Sequence, residues 1–441
     1  GVSIRREGGE GNKVVIRGLS PKYNKITVNG TNLASTDADD RSTDLSMISQ
    51  YMLEGIEVTK AGTPDQEADV LGGTVNFKLK KAPSGLHGNL VTQGMYNSLK
   101  KTQDDYKLVF DISNRFFGDR LGLLGQIDLE NRNRSSHNLA ANYVNTPADL
   151  DTINPLTLET LTLKDVARQN NRDNNLFVID YNIPNGNITY SGLHSTINKD
   201  ITTYANVYPL QTPDGRRNFD TGELLNRIKV TSETWKYEQQ LSPDLKLDLF
   251  KSFSRSTNGD TTKVYNFRET AAYTANVGNK SVDNIQEFTV NDTNATWFDR
   301  YDYNEYSTSE TEHAFGGNVE FDLKINDQIS GKVKFGFKNR DKTREHDRDY
   351  EYATFTYVGM TEKRDTTYKM FEFLNSIPSG TIYAPYYPFM DRDYNDEGFL
   401  DGKYRLGPFA DLNNMNQLFS YFRANWNWDP YHENIMHHFH K

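Results

Sequence analysis

Alternation of apolar and polar side chains dominates the chain after residue 85, and it comes in pairs. Residues 318–325 set Val319, Phe321, Leu323 and Ile325 on one face, with Glu320, Asp322 and Lys324 on the other. A turn follows at "NDQISG". Residues 332–338 then repeat the pattern with Val333, Phe335 and Phe337. Residues 106–116 (Leu108, Phe110, Ile112), 121–130 (Leu121, Leu123, Ile127, Leu129) and 245–253 read the same way. A period of two marks strands with one apolar and one wet face. In a soluble sandwich the apolar faces pack on each other. In a membrane barrel they face lipid, and the charged faces line the lumen.

Connection lengths favour the barrel. The turns "FFGDRLG", "SPDLK" and "NDQISG" are short, whereas residues 131–156, 258–294 and most of 345–413 read as long polar and aromatic loops. Short turns at one end and long loops at the other characterise membrane barrels, and a soluble domain rarely carries such loops. Roughly ten to twelve strands are expected at about ten residues each.

Residues 1–83 read differently, as a compact α/β unit. Residues 13–18 form a strand, and 25–33 a hairpin about Asn29-Gly30, a strong turn signal. Residues 44–55 place Leu45, Ile48, Met52 and Leu53 near helical spacing, with Asp44 as N-cap and Gly55 as stop. Residues 55–60 form a strand. A short helical turn starts near Pro64 and ends at Gly72-Gly73. Residues 74–81 close the unit with Val75, Phe77 and Leu79 alternating.

Composition narrows the class. Across 441 residues the hydrophobic fraction is only 36%, yet there are 26 Tyr and 24 Phe. A disordered chain is poor in aromatics, whereas a half-wetted β structure is rich in them. No run of 18 apolar residues occurs, so no transmembrane helix is expected, which leaves a barrel open. With no cysteine, disulfides and thiolate metal sites are excluded, in keeping with a bacterial envelope protein. The net charge of −10 lacks a basic stripe and speaks against nucleic acid. No signal peptide is visible. The start at "GVSIRREGG" reads as the middle of a domain, so an N-terminal part is expected to be missing.

Residues 1–83 resemble the plug domain of TonB-dependent outer-membrane receptors. The resemblance rests on Arg17-Gly18, then Val28-Asn29-Gly30, then Ile56-Glu57-Val58-Thr59-Lys60, then Gly72-Gly73-Thr74-Val75-Asn76, in that order. The version "RGLSPKYNKITVNG…DADDRSTDL" further resembles a branch of large receptors linked to oligosaccharide uptake. The fold implied is mainly β, a transmembrane antiparallel β-barrel with an N-terminal α/β plug domain in the lumen. Residues 1–83 would be the plug and 84–441 the barrel strands and extracellular loops. The family has 22 strands, so the barrel is expected to be incomplete, and the family's TonB-binding segment is not seen.

The resemblance implies a bacterial outer-membrane transporter that is not an enzyme and needs no cofactor. Its partners would be TonB, the inner-membrane energising complex, outer-membrane lipids, and a surface lipoprotein lid or other envelope subunits. The expected cargo is an oligosaccharide or other glycan fragment. The alternatives are a ferric-siderophore receptor and a non-transporting barrel subunit of an outer-membrane assembly. A soluble carbohydrate-binding enzyme would require a catalytic carboxylate pair. No such pair, nucleophile elbow or H-E-x-x-H motif is found.

The family directs the plug's hairpin loops toward the extracellular side. This makes Asn32, Asp37, Asp39, Asp40 and Arg41 candidate substrate ligands, able to hydrogen-bond a sugar; the plainer reading is a solvated Asp- and Ser-rich turn. Asp37, Asp39, Asp40 and Asp44 do not match the D-x-D-x-D-G spacing of a calcium loop, so no metal is assigned. Arg17 and Glu57 are candidates for plug–barrel ion pairs or, equally, for salt bridges within the plug. Gly18, Gly30, Gly72 and Gly73 are assigned structural roles. His432, His437, His438 and His440 cluster near the end without a clear metal pattern. Trp426, Trp428, Tyr431, Tyr386 and Tyr387 suit either sugar stacking or a membrane-interface girdle.

Overall fold

The computed structural model describes residues 1–37, 40–60, 70–145, 156–273, 277–324, 330–354, 370–378, 384–395, 397–425 and 437–440. The N-terminal unit contains the hairpin β1 (Val2–Glu7) and β2 (Glu10–Ile16). A small sheet follows, built from β3 (Asn24–Val28), β4 (Thr31–Asn32), β5 (Leu53–Thr59) and β6 (Gly73–Leu79) in the order β4-β3-β6-β5. Val75, Phe77 and Leu79 are buried, as their alternation predicts. The Asn29-Gly30 turn has both residues at positive φ (49° and 83°), which matches the twist of the flanking strands. Asn76 holds it by accepting the Gly30 N–H at 2.8 Å.

The helix expected over 44–55 is instead two 3₁₀ turns, Leu45–Met47 and Gln50–Met52, leading straight into β5. Asp44 caps the first turn as expected, accepting the Ser46 N–H at 2.9 Å. A continuous α-helix would bond the Tyr51 N–H to the Met47 carbonyl. That carbonyl accepts the Ser195 hydroxyl from the large sheet, and Ser49 Oγ takes the Tyr51 N–H. Contact with the neighbouring sheet overrides the local periodicity.

The large sheet has eleven antiparallel strands. They are β7 (His87–Asn97), β8 (Thr102–Phe116), β9 (Leu121–Asn133), β10 (Ser136–Asn145), β11 (Leu156–Ile183) and β12 (Gly186–Pro209). Then come β13 (Arg217–Ser242), β14 (Leu245–Glu269), β15 (Thr296–Lys324), β16 (Ser330–Thr354) and β17 (His437–His440). β10 continues the line of β9: both run antiparallel to β11, β9 along Gln169–Tyr181 and β10 along Leu156–Val166.

These strands enter what the sequence presents as loops. β14 continues to Glu269, β10 lies within 131–156, and β16 continues to Thr354. β15 is 29 residues long. At ~3.3 Å per residue that far exceeds the ~10 residues needed to cross a membrane. Once a strand leaves the bilayer both its faces can be polar, and the alternation that betrays it disappears.

The two faces are distinct. Leu176, Val178, Leu193, Ile197, Ile228 and Val230 share one buried cluster with Val14, Ile16, Val28 and Phe77 of the N-terminal unit, so this inner face carries residues 1–83. The opposite, outer face exposes Phe110, Ile112, Phe177, Trp235, Val319, Phe321, Leu323, Phe335 and Phe337. Higher up, the outer face is covered. The β13–β14 register runs unbroken from Arg217↔Glu269 to Gln240↔Lys246, so Phe219, Tyr265 and Phe267 lie on the same side as Trp235 and Leu249. There they are buried under Tyr386, Phe389, Phe409 and helix α1 (Leu412–Asn425), whose Met415, Leu418 and Phe419 face inward at helical spacing. We call this covering layer the cap.

Candidate functional site

Beside the shared apolar cluster, the inner face grips the N-terminal unit through polar side chains projecting from alternate strand positions. Ser254, Ser256 and Asn258 of β14 reach successive backbone groups of residues 34–36. Ser254 Oγ accepts the Ala34 N–H at 2.9 Å, Ser256 donates to the Ser35 carbonyl, and Asn258 donates to the Thr36 carbonyl at 2.9 Å. On β15, Glu310 accepts the Ser35 N–H and Glu312 accepts the Asn32 side chain, each at 2.9 Å. Period-two projection puts all five side chains on one face. From β16, Arg344 donates to the carbonyls of Asp37 (2.7 Å) and Asp40 (2.8 Å).

A second anchor is ionic. Glu10 of β2 receives Arg134 at 2.8 Å and also binds Arg172, which simultaneously binds Glu130 on the adjacent strand. Lys107 adds to this group at 3.1 Å from Glu130, and Ser49 donates to Asp128. Burial pushes the Glu10 carboxyl up, but Arg172 and Arg134 more than offset that and hold it below the ordinary value. Lys199 lies 3.4 Å from Asp44.

The candidate ligands predicted from sequence divide. Asn32 donates its amide to Glu312 at 2.9 Å and lines the same cleft as Arg41. Asp37 takes Lys13 and the Asp40 N–H, and Asp40 accepts the Ser42 N–H at 2.7 Å. These carboxylates brace the loop internally, as Asx turns do. Asp39 lies outside the described residues. Arg41 is exposed and lines a cleft of about 380 Å³ between the N-terminal unit and the sheet, with Lys22, Lys25, Arg340, Lys342 and Glu310 among its neighbours.

Of the two readings open for Glu57 and Arg17, the structure has the salt bridge within the plug for Glu57 and, among the described residues, neither for Arg17. Glu57 pairs with Lys78 and accepts Asn76 at 3.1 Å, all within residues 1–83, and Lys78 holds its carboxyl below the ordinary value. Arg17 is exposed at φ 56° and makes no ion pair among the described residues. The bridging role falls instead to Glu10, Arg134, Arg172 and Asp44. Glu10 and Arg172 stand 162 positions apart, and no local pattern marks either.

Gly73 is required by close approach, since a Cβ there would sit 2.7 Å from the Thr59 carbonyl oxygen. A Cβ on Gly72 would meet Asn24, while Gly18 lies at φ 74°. Tyr386 cannot stack on a sugar, because it is fully buried in the cap against Phe219 and Phe267. Tyr387 is partly exposed, and its hydroxyl donates to the Ser376 carbonyl at 2.8 Å. His437, His438 and His440 lie in β17, which pairs with Asp349–Tyr352 of β16. His432, Trp426, Trp428 and Tyr431 lie outside the described residues.

Residues 1–74 match the family described as TonB-dependent Receptor Plug Domain. The N-terminal unit is thus similar to a receptor plug. Among solved structures, the siderophore receptor PiuA from Acinetobacter baumannii is 11% identical, with a TM-score of 0.30, covering 80% of this chain and 60% of PiuA. The copper transporter OprC is 10% identical (TM-score 0.31, 80% and 56% covered) and the unliganded ferric citrate transporter FecA 11% identical (TM-score 0.26, 80% and 56% covered). The chain thus spans 60% or less of these proteins' lengths. No curated protein is similar in sequence. A plug-like unit seated on one face of a large antiparallel sheet fits an outer-membrane barrel wall, with the plug on the inner face and the exposed apolar residues on the outer face.

The lipid assignment has a direct test. Phe335 is 71% exposed on the outer face, opposite Val319 and near the short-turn end. Phe335→Arg is expected to lower the folding free energy in lipid vesicles by about 2–4 kcal/mol, as an arginine near the bilayer midplane does. Urea titration of vesicle-reconstituted protein measures this. An unchanged midpoint would mean that this face is not in the bilayer.

Proposed function

We propose that the protein is a TonB-dependent transporter that imports an oligosaccharide or other glycan fragment. The observation that carries the reading is a plug seated on the wall by hydrogen bonds and ion pairs to strand side chains. Such contacts exchange readily with water, so a pull on the plug has to separate, beyond them, only the apolar cluster that the plug shares with the wall. TonB and the inner-membrane complex would supply that pull. Arg41 is the plug residue we assign to the cargo. Around it cations outnumber carboxylates, which favours an acidic sugar chain; a ferric chelate, also anionic, is the second reading on the same observation.

A strain lacking the gene decides among the readings when grown on a panel of neutral and acidic polysaccharides, and separately under iron limitation. A defect on one polysaccharide supports glycan import. A defect only under iron limitation supports the chelate. Normal growth throughout favours a non-transporting envelope subunit. In the complemented strain, Arg41→Ala is expected to reduce uptake while leaving the barrel folded, because exposed substitutions change stability by about 0.5 kcal/mol or less. It is a cleaner probe than alanine at Asp37 or Asp40, which would also loosen the loop.

A further inference from the structure

The cap contains a second cleft, of about 800 Å³, on the outer side of the wall and away from the plug. Its floor is Asn206 of β12 and Arg217 of β13, and its sides include Tyr387, Asp391, Arg392 and Tyr394. Asn206 is 1% exposed, yet among the described residues its side-chain oxygen accepts no hydrogen bond. An acceptor buried without a donor is costly, and a native structure rarely tolerates one unless something else supplies the donor. Arg217 is already neutralised by Glu269 and lies over the rings of Phe219 and Tyr208. Arg392 is exposed and has no acidic partner among the described residues.

An occupant that donates to Asn206 and accepts from Arg392 would satisfy both groups. A simple anion accepts only, and Asp391 would repel it. A hydroxyl does both. The partly exposed ring of Tyr387 adds an apolar face of the kind on which the C–H side of a pyranose rests. The volume falls within the range of small-molecule clefts and exceeds what a single ion needs. We propose that the cap cleft is a saccharide-binding site outside the barrel lumen, able to hold a glycan at the cell surface whatever the state of the plug. The saccharide has two sources: glycans from the surroundings, or the core sugars of the cell's own lipopolysaccharide.

The test uses the purified full chain in detergent on an array of neutral oligosaccharides, acidic oligosaccharides and lipopolysaccharide core oligosaccharides. Wild type is compared with Asn206→Leu, Arg392→Ala and, as the lumen control, Arg41→Ala. Folding is checked by the heat-dependent gel shift of intact barrels, and Arg392→Ala, being at an exposed position, keeps the test valid if Asn206→Leu fails to fold. We expect at least one glycan class to bind. Its Kd should rise about tenfold in each cap variant, the loss that goes with one hydrogen bond, and stay unchanged in Arg41→Ala. The class that binds identifies the source. The proposal is overturned if wild type retains no glycan, or if binding survives the cap variants and disappears with Arg41→Ala.

Discussion

Replacing Arg172 by Met is expected to destabilise the seated plug by about 3–5 kcal/mol, the cost of removing one partner from a buried ionic group. Arg172 is 9% exposed and lies between Glu10 (11%) of the plug and Glu130 (7%) of the wall. Without it, two carboxylates face each other with Arg134 and Lys107 as the nearest compensation. Glu10→Gln should cost less, since an amide keeps some hydrogen bonding and Arg172 keeps Glu130, so that only the more exposed Arg134 loses its carboxylate. Acid should act on the same group. Because Glu10 is held below its ordinary 4.5 in the folded protein, its stabilisation is complete above that value. It declines as the pH falls through the lower folded value, so the plug should loosen in acid and Glu10→Gln should flatten that dependence. Hydrogen exchange in β2, followed against denaturant and pH, reads plug release separately from barrel unfolding. A midpoint in Arg172→Met equal to wild type would mean that the ionic group does not hold the plug.

How much of this was legible in the chain depends on what each face meets. Where lipid lies on one side and water on the other, as at Val319–Leu323 and Val333–Phe337, alternation announces the strand. Further up, β11 passes through Asn170, Asn171, Arg172, Asp173, Asn174 and Asn175 with neither face apolar, and nothing in that run tells a strand from a loop. The plug hairpin was readable because Asn29-Gly30 encodes its own turn. The segment after Asp44 departs from its helical spacing because Ser195, 148 positions away from Met47, takes the carbonyl a helix would use. The candidate ligands show the same limit. Side-chain type marked Asp37 and Asp40 as polar groups seeking partners; Ser42, two residues from Asp40, was within reach of a local turn, but Lys13, 24 positions from Asp37 on β2, is met only in the fold.

Phe419→Ala is expected to cost about 3–5 kcal/mol, the usual range for truncating a buried aromatic, with the loss confined to the cap. Phe419 is 1% exposed, and its ring lies 4.1 Å from that of Tyr301 and 5.5 Å from those of Tyr265 and Phe298. Three strand residues and one helix residue thus form a single stack. The strands beneath keep their full hydrogen-bonded ladders, since β13, β14 and β15 pair along their whole lengths whatever covers them. α1 has no such ladder. Apart from the apolar stack, it is tied down by Asn416 to Glu223 at 2.7 Å and by Arg423, which binds both oxygens of Glu351 and lies 3.8 Å from the Tyr303 ring centre. Hydrogen exchange should therefore rise across Leu412–Asn425 while the amides of β13 to β15 and the barrel's thermal midpoint stay put. Faster exchange throughout those strands would show that the cap braces the wall itself, and the strand extensions would then owe their order to the aromatic layer rather than to their own pairing.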